Sequence, residues 1–370
     1  MKNSIKNAAA KLQTQHKIFK INRKINGIYK AYKKRSSVVY DKQELIHHKK
    51  KWSVLKKRIN PRWFKIYSSI TGRSEVDYVP EDIYYVIIEP CMNQSEFLLA
   101  YKDKNFYEIY YEPQLLPTAL LRNIHGVFYD RDYNVLPASK GAEYLYGHLR
   151  SSPRIIVKPA VGSSGGTNVQ LFERDKDGFT NSGGDILSLD LLKRDFHTNF
   201  IVQEYIEQHD FFSQFNRSSL NTVRLTTYRS VSTEEIIVIQ AVQRMGRPGS
   251  LVDNQASGGL SVGIQSNGRL GDYAVDKYGN TYREFGSGIP FDHLENVIQF
   301  EEMKILAKGI ARKNYYARLL GFDFCVDKEG TVRLIEINNK YLEINFLQMN
   351  NGPLFGSFTD EVIEFCLSVC

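Results

Sequence analysis

The stretch Gly321-Phe322-Asp323-Phe324-Cys325-Val326-Asp327-Lys328-Glu329-Gly330-Thr331-Val332-Arg333-Leu334-Ile335-Glu336-Ile337-Asn338 reads as a β-hairpin. An apolar run ends at Val326, the turn Asp327-Lys328-Glu329-Gly330 follows, and an alternating run resumes at Thr331. With the turn centred near Lys328 and Glu329, the returning strand brings Asp323 opposite Leu334 to Glu336. Strand side chains repeat every second residue, so Glu336 and Asn338 leave the same face. Three oxygen donors converging in this way suit a magnesium site, because Mg²⁺ takes one or two carboxylates and leaves most positions to phosphate and water. The other reading of these residues is a surface hairpin with acidic decoration. A second copy, Glu343-Ile344-Asn345, follows seven residues later. Pairing it with Asp323 would centre the turn near Val332 and Arg333, in strand-like sequence without a turn residue, so turn chemistry selects Glu336.

Working outward, a chain of 370 residues with 42% hydrophobic and 24% charged residues exceeds one average domain and has ample material for a core, which excludes a disordered chain. No apolar run reaches the length of a membrane-spanning helix, and the basic N-terminus lacks the apolar centre of a secretory signal. The expected location is the cytoplasm, or the periphery of the inner face of the membrane. Cys91, Cys325, Cys366 and Cys370 have neither CxxC nor zinc-ligand spacing, so they are expected to be buried or incidental reduced thiols.

The net charge of +8 hides an asymmetry. Residues 1–70 carry 20 Lys and Arg against Asp41 and Glu44, a net of +18, whereas the remainder carries 29 basic and 39 acidic residues, a net of −10. In the first part Ile18, Ile21, Ile25, Ile28 and Tyr32 recur at helical spacing with basic residues over the other faces. Such a helix packs on its own domain, or docks on an anionic membrane surface or polysaccharide. Nucleic acid is the least supported partner, since no nucleic-acid motif accompanies the charge.

The chain is expected to be α+β with mostly antiparallel strands. Ile83 to Ile88 looks like a strand ended by Pro90. Further strands are expected at Ile155–Lys158, Asn168–Phe172, Phe200–Glu204, Thr222–Tyr228 and Ile236–Arg244, with helices near 301–320 and 358–369. The segment Ile155-Ile156-Val157-Lys158-Pro159-Ala160-Val161-Gly162-Ser163-Ser164-Gly165-Gly166-Thr167 places a lysine at the end of a buried strand, directly before a Gly/Ser loop. Glycines let backbone N–H groups approach phosphate oxygens, and the lysine adds a point charge. It is neither a Walker loop nor a dinucleotide fingerprint, and a plain Gly-rich connection between two strands reads the same way.

The order of these parts carries more than any one of them. Lys158 with its glycine loop, Gln203-Glu204-Tyr205-Ile206-Glu207, strand-borne arginines, and then Asp323 with Glu336 and Asn338 together resemble an ATP-grasp enzyme, from about Lys104 to the C-terminus. The details are most similar to the sugar-transfer-associated ATP-grasp proteins of bacterial surface-polysaccharide loci. That resemblance implies two α+β subdomains gripping ATP. It divides the chain into a basic helical region (1–74), a preceding region (75–150), a small subdomain with a flap (151–215) and a large subdomain with the metal site (216–370). It also implies that Lys104 and Lys158 bind phosphates and that Ser163, Ser164, Gly165 and Gly166 form the flap. Glu204 then accepts from the adenine amino group, Tyr205 and Ile206 form the adenine hinge, and Asp210 binds ribose, with Glu207 competing for that role. Arg224, in a stretch similar to the family's NTxR element, and Arg244, ahead of Asp253-Asn254-Gln255-Ala256-Ser257-Gly258-Gly259, are placed with Lys158 on the transferring phosphoryl group. Asp323, Glu336 and Asn338 are placed on one or two Mg²⁺ ions. His209 is read as structural.

The activity this implies is an ATP-dependent carboxylate–amine ligase that forms an amide on a uronic-acid-type glycan or its precursor through an acyl phosphate. An ATP-grasp kinase acting on a hydroxyl acceptor, and a non-catalytic protein recruited to a carrier or membrane, remain open alternatives.

Overall fold

The computed structural model describes residues 2–94, 96–137, 144, 147, 152–162, 166–176, 178–286 and 288–369. Two antiparallel sheets of seven strands organise the chain after residue 118. The first contains β1 (Ala119–Ile124), β2 (Val127–Tyr129), β3 (Val135–Leu136), β4 (Arg154–Pro159), β5 (Gln170–Arg174), β6 (Phe179–Asn181) and β7 (Phe200–Glu204), in the order β3-β2-β1-β7-β4-β5-β6. This sheet draws strands from both sides of residue 150. The helix Leu189–Phe196 packs Leu191, Leu192 and Phe196 against it, capped at its start by Ser188 Oγ, which accepts from Leu191 N.

The second sheet contains β8 (Val223–Arg229), β9 (Ile236–Met245), β10 (Leu260–Ile264), β11 (Leu270–Val275), β12 (Thr281–Tyr282), β13 (Leu319–Val326) and β14 (Val332–Asn338), in the order β12-β11-β10-β9-β8-β13-β14. Alternation along its strands assigns the two faces. Val223, Leu225, Phe322 and Phe324 join one core with Met303, Ala307 and Ile310 of the helix Phe300–Lys313. Tyr228, Val242 and Leu319 join a second core with the N-terminal helices. Arg224 lies between Val223 and Leu225, so it points to the second face.

That second core explains the basic N-terminal region. Ile25 and Ile28 of the helix Lys2–Lys33 are buried, and Ile21 and Tyr32 pack against the same cluster. The helices Lys42–Trp52 and Arg62–Thr71 add Trp52, Trp63, Phe64, Ile66 and Tyr67. The periodic stripe is therefore a packing face onto the molecule itself, and the basic residues lie on the remaining faces. No described helix is long and apolar enough to cross a membrane.

The helix expected over 301–320 ends at Lys313, with Leu319 and Leu320 already in β13, and two further expectations fail. Ile83 to Ile88 is helical, running from Glu81–Ile83 through a π-helical turn at Tyr84–Ile88 into Glu89–Met92, and Pro90 sits at the start of that last turn. β-Branched and aromatic residues favour strands only as far as they pack on a half-buried surface. Ile83, Tyr84, Tyr85 and Ile88 are instead buried under the N-terminal helices, and burial overrides propensity. Cys325 and Cys366 are buried free thiols as expected, but Cys91 is disulfide-bonded.

Candidate active site

The cleft forms where the two sheets face each other. Its register begins in the hairpin, where Asp323 pairs with Glu336 and Phe324 with Leu334, leaving Ile335 as a bulge. On its other side Asp323 pairs with Arg224 of β8. Directly opposed residues of antiparallel strands share a face, so Arg224, Asp323 and Glu336 make a charged row across three strands.

The row is bound tightly. Arg224 grips Asp323 with a two-pronged fork, Nε to Oδ1 and Nη2 to Oδ2, the second at 2.8 Å. Arg244 Nη1 reaches Asp323 Oδ2 at 3.1 Å, and its Nη2 holds Asp253 Oδ1 at 3.0 Å. Asp253 in turn accepts from Thr222 N at 2.8 Å and from the Thr222 hydroxyl. Lys104 Nζ lies 2.7 Å from Glu336 Oε1. Asn338 Nδ2 is 3.4 Å from Asp323 Oδ2.

These contacts set the charge states. Burial pushes the Asp323 carboxyl up, but Arg224 and Arg244 more than reverse it and hold it below the usual range. Burial likewise raises Glu336 while Lys104 brings it back below. Asp253, equally buried, stays raised because Arg244 offsets burial only in part. Lys158 is the converse case. It sits 8% exposed at the end of β4, and burial, reinforced by Lys104, brings it down to about 7. Among the described residues it has no ion pair.

The site residues expected from sequence divide into two groups. Lys104, Lys158, Gly166, Glu204, Tyr205, Ile206, Arg244, Asp323 and Glu336 line one cleft, with Ile156, Val169, Leu220, Val252 and Ile335 as its apolar walls. Gly166 has φ +70°, and a β-carbon there would come within 2.7 Å of Val252, so the chain needs glycine for two reasons. Lys104 opens a short turn whose first N–H groups are capped by Asp103, and its own N–H donates to Ala160 O, tying it to the strand that carries Lys158. Glu204 Oε1 accepts from Thr118 N at 2.9 Å, and the Arg154 guanidinium lies 4.1 Å from the Tyr205 ring centre. Arg224 and Asn338 stand behind this wall and reach the cleft through Asp323.

Asp210 is not brought in. It is exposed, at the start of the helix Asp210–Ser213, because Gln208 bridges to Asp327 and leads the chain away along the hairpin turn. Glu207 instead pairs with Arg154 at 2.5 Å and Lys328 at 2.7 Å, linking the two sheets. His209 Nδ1 accepts from Phe211 N as a helix cap. Ser163, Ser164 and Gly165 lie outside the described residues. The copy at Glu343 and Asn345 takes no part in the row: Glu343 is exposed and Asn345 begins the helix Asn345–Asn351.

Sequence reasoning missed Asp253 and Gln203. Asp253 looked like one more loop residue, although its position nine residues beyond strand-borne Arg244 and beside a Gly-rich loop was visible. Gln203 faces the cleft 7% exposed, donates Nε2 to Pro117 O at 3.1 Å, and leaves Oε1 buried without a partner. An orphaned acceptor beside an apolar slot fits an amino-bearing aromatic ring such as adenine.

For a metal, the donor chemistry fits. Asp323 and Glu336 present carboxylates from adjacent strands, with the Asn338 amide beside them, and hard oxygen donors suit Mg²⁺. Among the described residues no group of three His, Cys, Asp or Glu is placed to hold a metal, so an amide or phosphate oxygen would have to complete the set.

A comparison with curated proteins returned no match. Among solved structures, the chain is similar to the ATP-grasp ligase PsnB complexed with a phosphomimetic variant of minimal precursor, Mg and ADP, at 14% identity over 74% of this chain and 60% of that one, with a TM-score of 0.39. It is similar to the D-cycloserine synthetase DcsG at 13% identity, over 75% and 73% of the two chains, TM-score 0.42. It is also similar to N5-carboxyaminoimidazole synthetase from Staphylococcus aureus complexed with ADP, at 12% identity, over 72% and 53%, TM-score 0.37. The chain thus spans about three fifths of the length of PsnB. Residues 89–362 match the sugar-transfer associated ATP-grasp family, and the protein belongs to that family.

Proposed function

We propose that this protein is an ATP-dependent carboxylate–amine ligase whose cleft binds ATP with Mg²⁺. The observation that carries the reading is Lys158, a buried lysine with no ion pair among the described residues, beside an apolar slot and opposite the charged row. A buried cation without a counter-ion is costly, and a phosphate supplies the missing charge.

In this reading adenine lies against Ile156, Val169 and Ile335, with Gln203 Oε1 and the Glu204–Ile206 backbone at its polar edge. Lys104 and Lys158 hold phosphate oxygens. Mg²⁺ held by Asp323, Glu336 and the Asn338 amide would neutralise phosphate charge, and Lys104 would then turn from Glu336 toward the phosphates. The acceptor carboxylate oxygen attacks the γ-phosphorus, the bond to ADP breaks, and an acyl phosphate forms. The amine nitrogen attacks the acyl carbon, phosphate leaves, and the amine proton passes to solvent. Arg244 lines the cleft with its fork held by Asp323 and Asp253, and its positive charge faces the transferring phosphoryl group and the acyl phosphate. Arg224 is fully committed to Asp323, so it acts by fixing that carboxylate.

The family description and the charge of one surface groove support a reading of the acceptor class. A groove lined by Asn26, Tyr29, Lys30, Lys33, Lys34 and Arg62 offers cations beside an aromatic ring, a surface suited to an acidic sugar chain. We assign the carboxylate to a uronic-acid-type glycan or precursor, presented at the inner face of the membrane. Purified protein given Mg²⁺, ATP, a uronic-acid oligosaccharide and an amino acid should release ADP only when both acceptors are present. ADP release with a neutral, hydroxyl-bearing oligosaccharide and no amide product would make it a kinase instead.

A further inference from the structure

Between β9 and β10 the larger sheet comes apart. β8 runs beside β9 as far as Ile236, but β10 pairs only with Val242–Met245. The side chain of Asn351 stands where the next rung would form. Its Nδ2 donates to Ala241 O at 2.9 Å, and its Oδ1 lies 2.1 Å from where a Gly263 β-carbon would be, so glycine is required beside the wedge. Beyond the wedge, the outer edge of Ile237–Gln240 borders a cleft of about 780 Å³ that shares no lining residue with the nucleotide cleft.

Two side chains along this cleft keep unpartnered acceptors. Gln240, 7% exposed, gives Nε2 to Pro353 O at 3.0 Å, which fixes its amide orientation and leaves Oε1 buried without a partner. Asn350 gives Nδ2 to Ser261 Oγ at 2.9 Å and Phe346 O at 2.8 Å, and its Oδ1 is likewise unpartnered. Both residues line the cleft. An unpaired buried carbonyl costs about 1–3 kcal/mol, so each is a standing demand for an N–H or O–H. The walls supply an apolar seat at Ile305, 71% exposed, next to Lys308, which has no ion pair among the described residues. The acids Glu301 and Asp272 also line the cleft, but Glu301 faces Lys304 at 2.6 Å and Asp272 faces Arg283 at 3.5 Å.

We propose that an extended polypeptide segment docks in this cleft as an added strand on β9, with an apolar side chain on Ile305 and an acidic one toward Lys308. A free strand edge offers main-chain donors and acceptors in the pattern only another extended backbone completes, and its neighbours select alternate side chains. The unpaired Lys308 selects an acidic partner over a neutral one.

A displayed library of random twelve-residue peptides, panned on the full chain, tests this. Enriched peptides should bind at least tenfold more weakly to Ile305→Glu and to Lys308→Glu, should slow amide exchange at Ile237–Gln240, and should lose binding when alternate backbone nitrogens are methylated. Failure to enrich any peptide that depends on Ile305 or Lys308, or binding that survives N-methylation, would overturn the proposal. Mg·ATP titration of the same two variants should match the unaltered protein. Peptide binding without ATP binding would refute the ligase reading and leave this one standing.

Discussion

Two regions of this protein bury carboxylates and treat them in opposite ways. In the cleft, Asp323 and Glu336 stay below the usual carboxylate range because Arg224, Arg244 and Lys104 outweigh burial. In the N-terminal layer, burial pushes Glu81 and Glu89 up to about 7. Glu81 has only Lys24 at 3.5 Å, and its Oε1 is unpartnered. A buried acid keeps its charge where close cations outweigh burial, as the guanidinium forks do at Asp323 and Lys104 does at 2.7 Å from Glu336. It loses that charge at Glu81, where the lysine stands off at 3.5 Å. In the cleft Arg224, Arg244 and Lys104 pair with Asp323, Asp253 and Glu336, and Lys158 is left over, which gives an anionic ligand a place. In the N-terminal layer Lys24 and Lys56 reach inward to Glu81 and Asp82, and Lys17 donates to Tyr85 O.

The contrast can be broken most forcefully at Asp323. Asp323→Ala strands two guanidinium groups in the interior and should cost about 3–5 kcal/mol in urea unfolding. If Glu81→Ala costs as much, the two regions do not differ in the way described. Asp253→Ala comes next. It should cost about 1–3 kcal/mol, since the Thr222 N–H and Arg244 lose their acceptor. Released from its clamp, Arg244 should also lower ADP release by about 100-fold, the scale expected for misplacing a positioned group by an ångström. A loss of stability without that loss of turnover would make Asp253 purely structural.

Lys158 supplies a sharper test by pH. Its folded pKa is about 7, so at pH 8 it is mostly neutral in the free protein, and a bound phosphate restores its charge. Nucleotide binding at pH 8 should take up roughly one proton, falling toward none below pH 6 where the lysine is already protonated. Calorimetry in buffers of different ionisation enthalpy reads this uptake directly, and Lys158→Met should abolish it. Glu81 supplies a second test by pH. Its folded pKa lies above its unfolded value, so the stability it contributes is present below about pH 4.5 and is lost as pH rises through about 7. Glu81→Gln should flatten the decline in stability between pH 5 and 8, a decline of up to about 3 kcal/mol for this shift.

Much of the site was legible because its parts lie on strands. The turn at Asp327–Gly330 fixed the hairpin and brought Asp323 near Glu336, and alternation put Glu336 and Asn338 on one face. The bulge at Ile335 was not legible, since nothing in an alternating apolar run marks the extra residue. It matters, because it sets Asp323 opposite Glu336 within the wider range that the turn alone allows. Asp253 was hidden for a different reason: its role depends on a long-range pairing with Thr222 and Arg244 across strands. Ile83–Ile88 misled because local composition favours a strand, whereas packing on several sides under the N-terminal helices favours a helix. Asp210 misled because chain order along a hinge says nothing of where the chain turns next.

The most direct test of the central claim is titration of the full chain with Mg·ATP by calorimetry at pH 8, alongside Lys158→Ala. The account predicts a single saturable site with proton uptake in the unaltered protein and loss of both in the variant. Absence of binding, or binding that Lys158→Ala leaves unchanged, would contradict it.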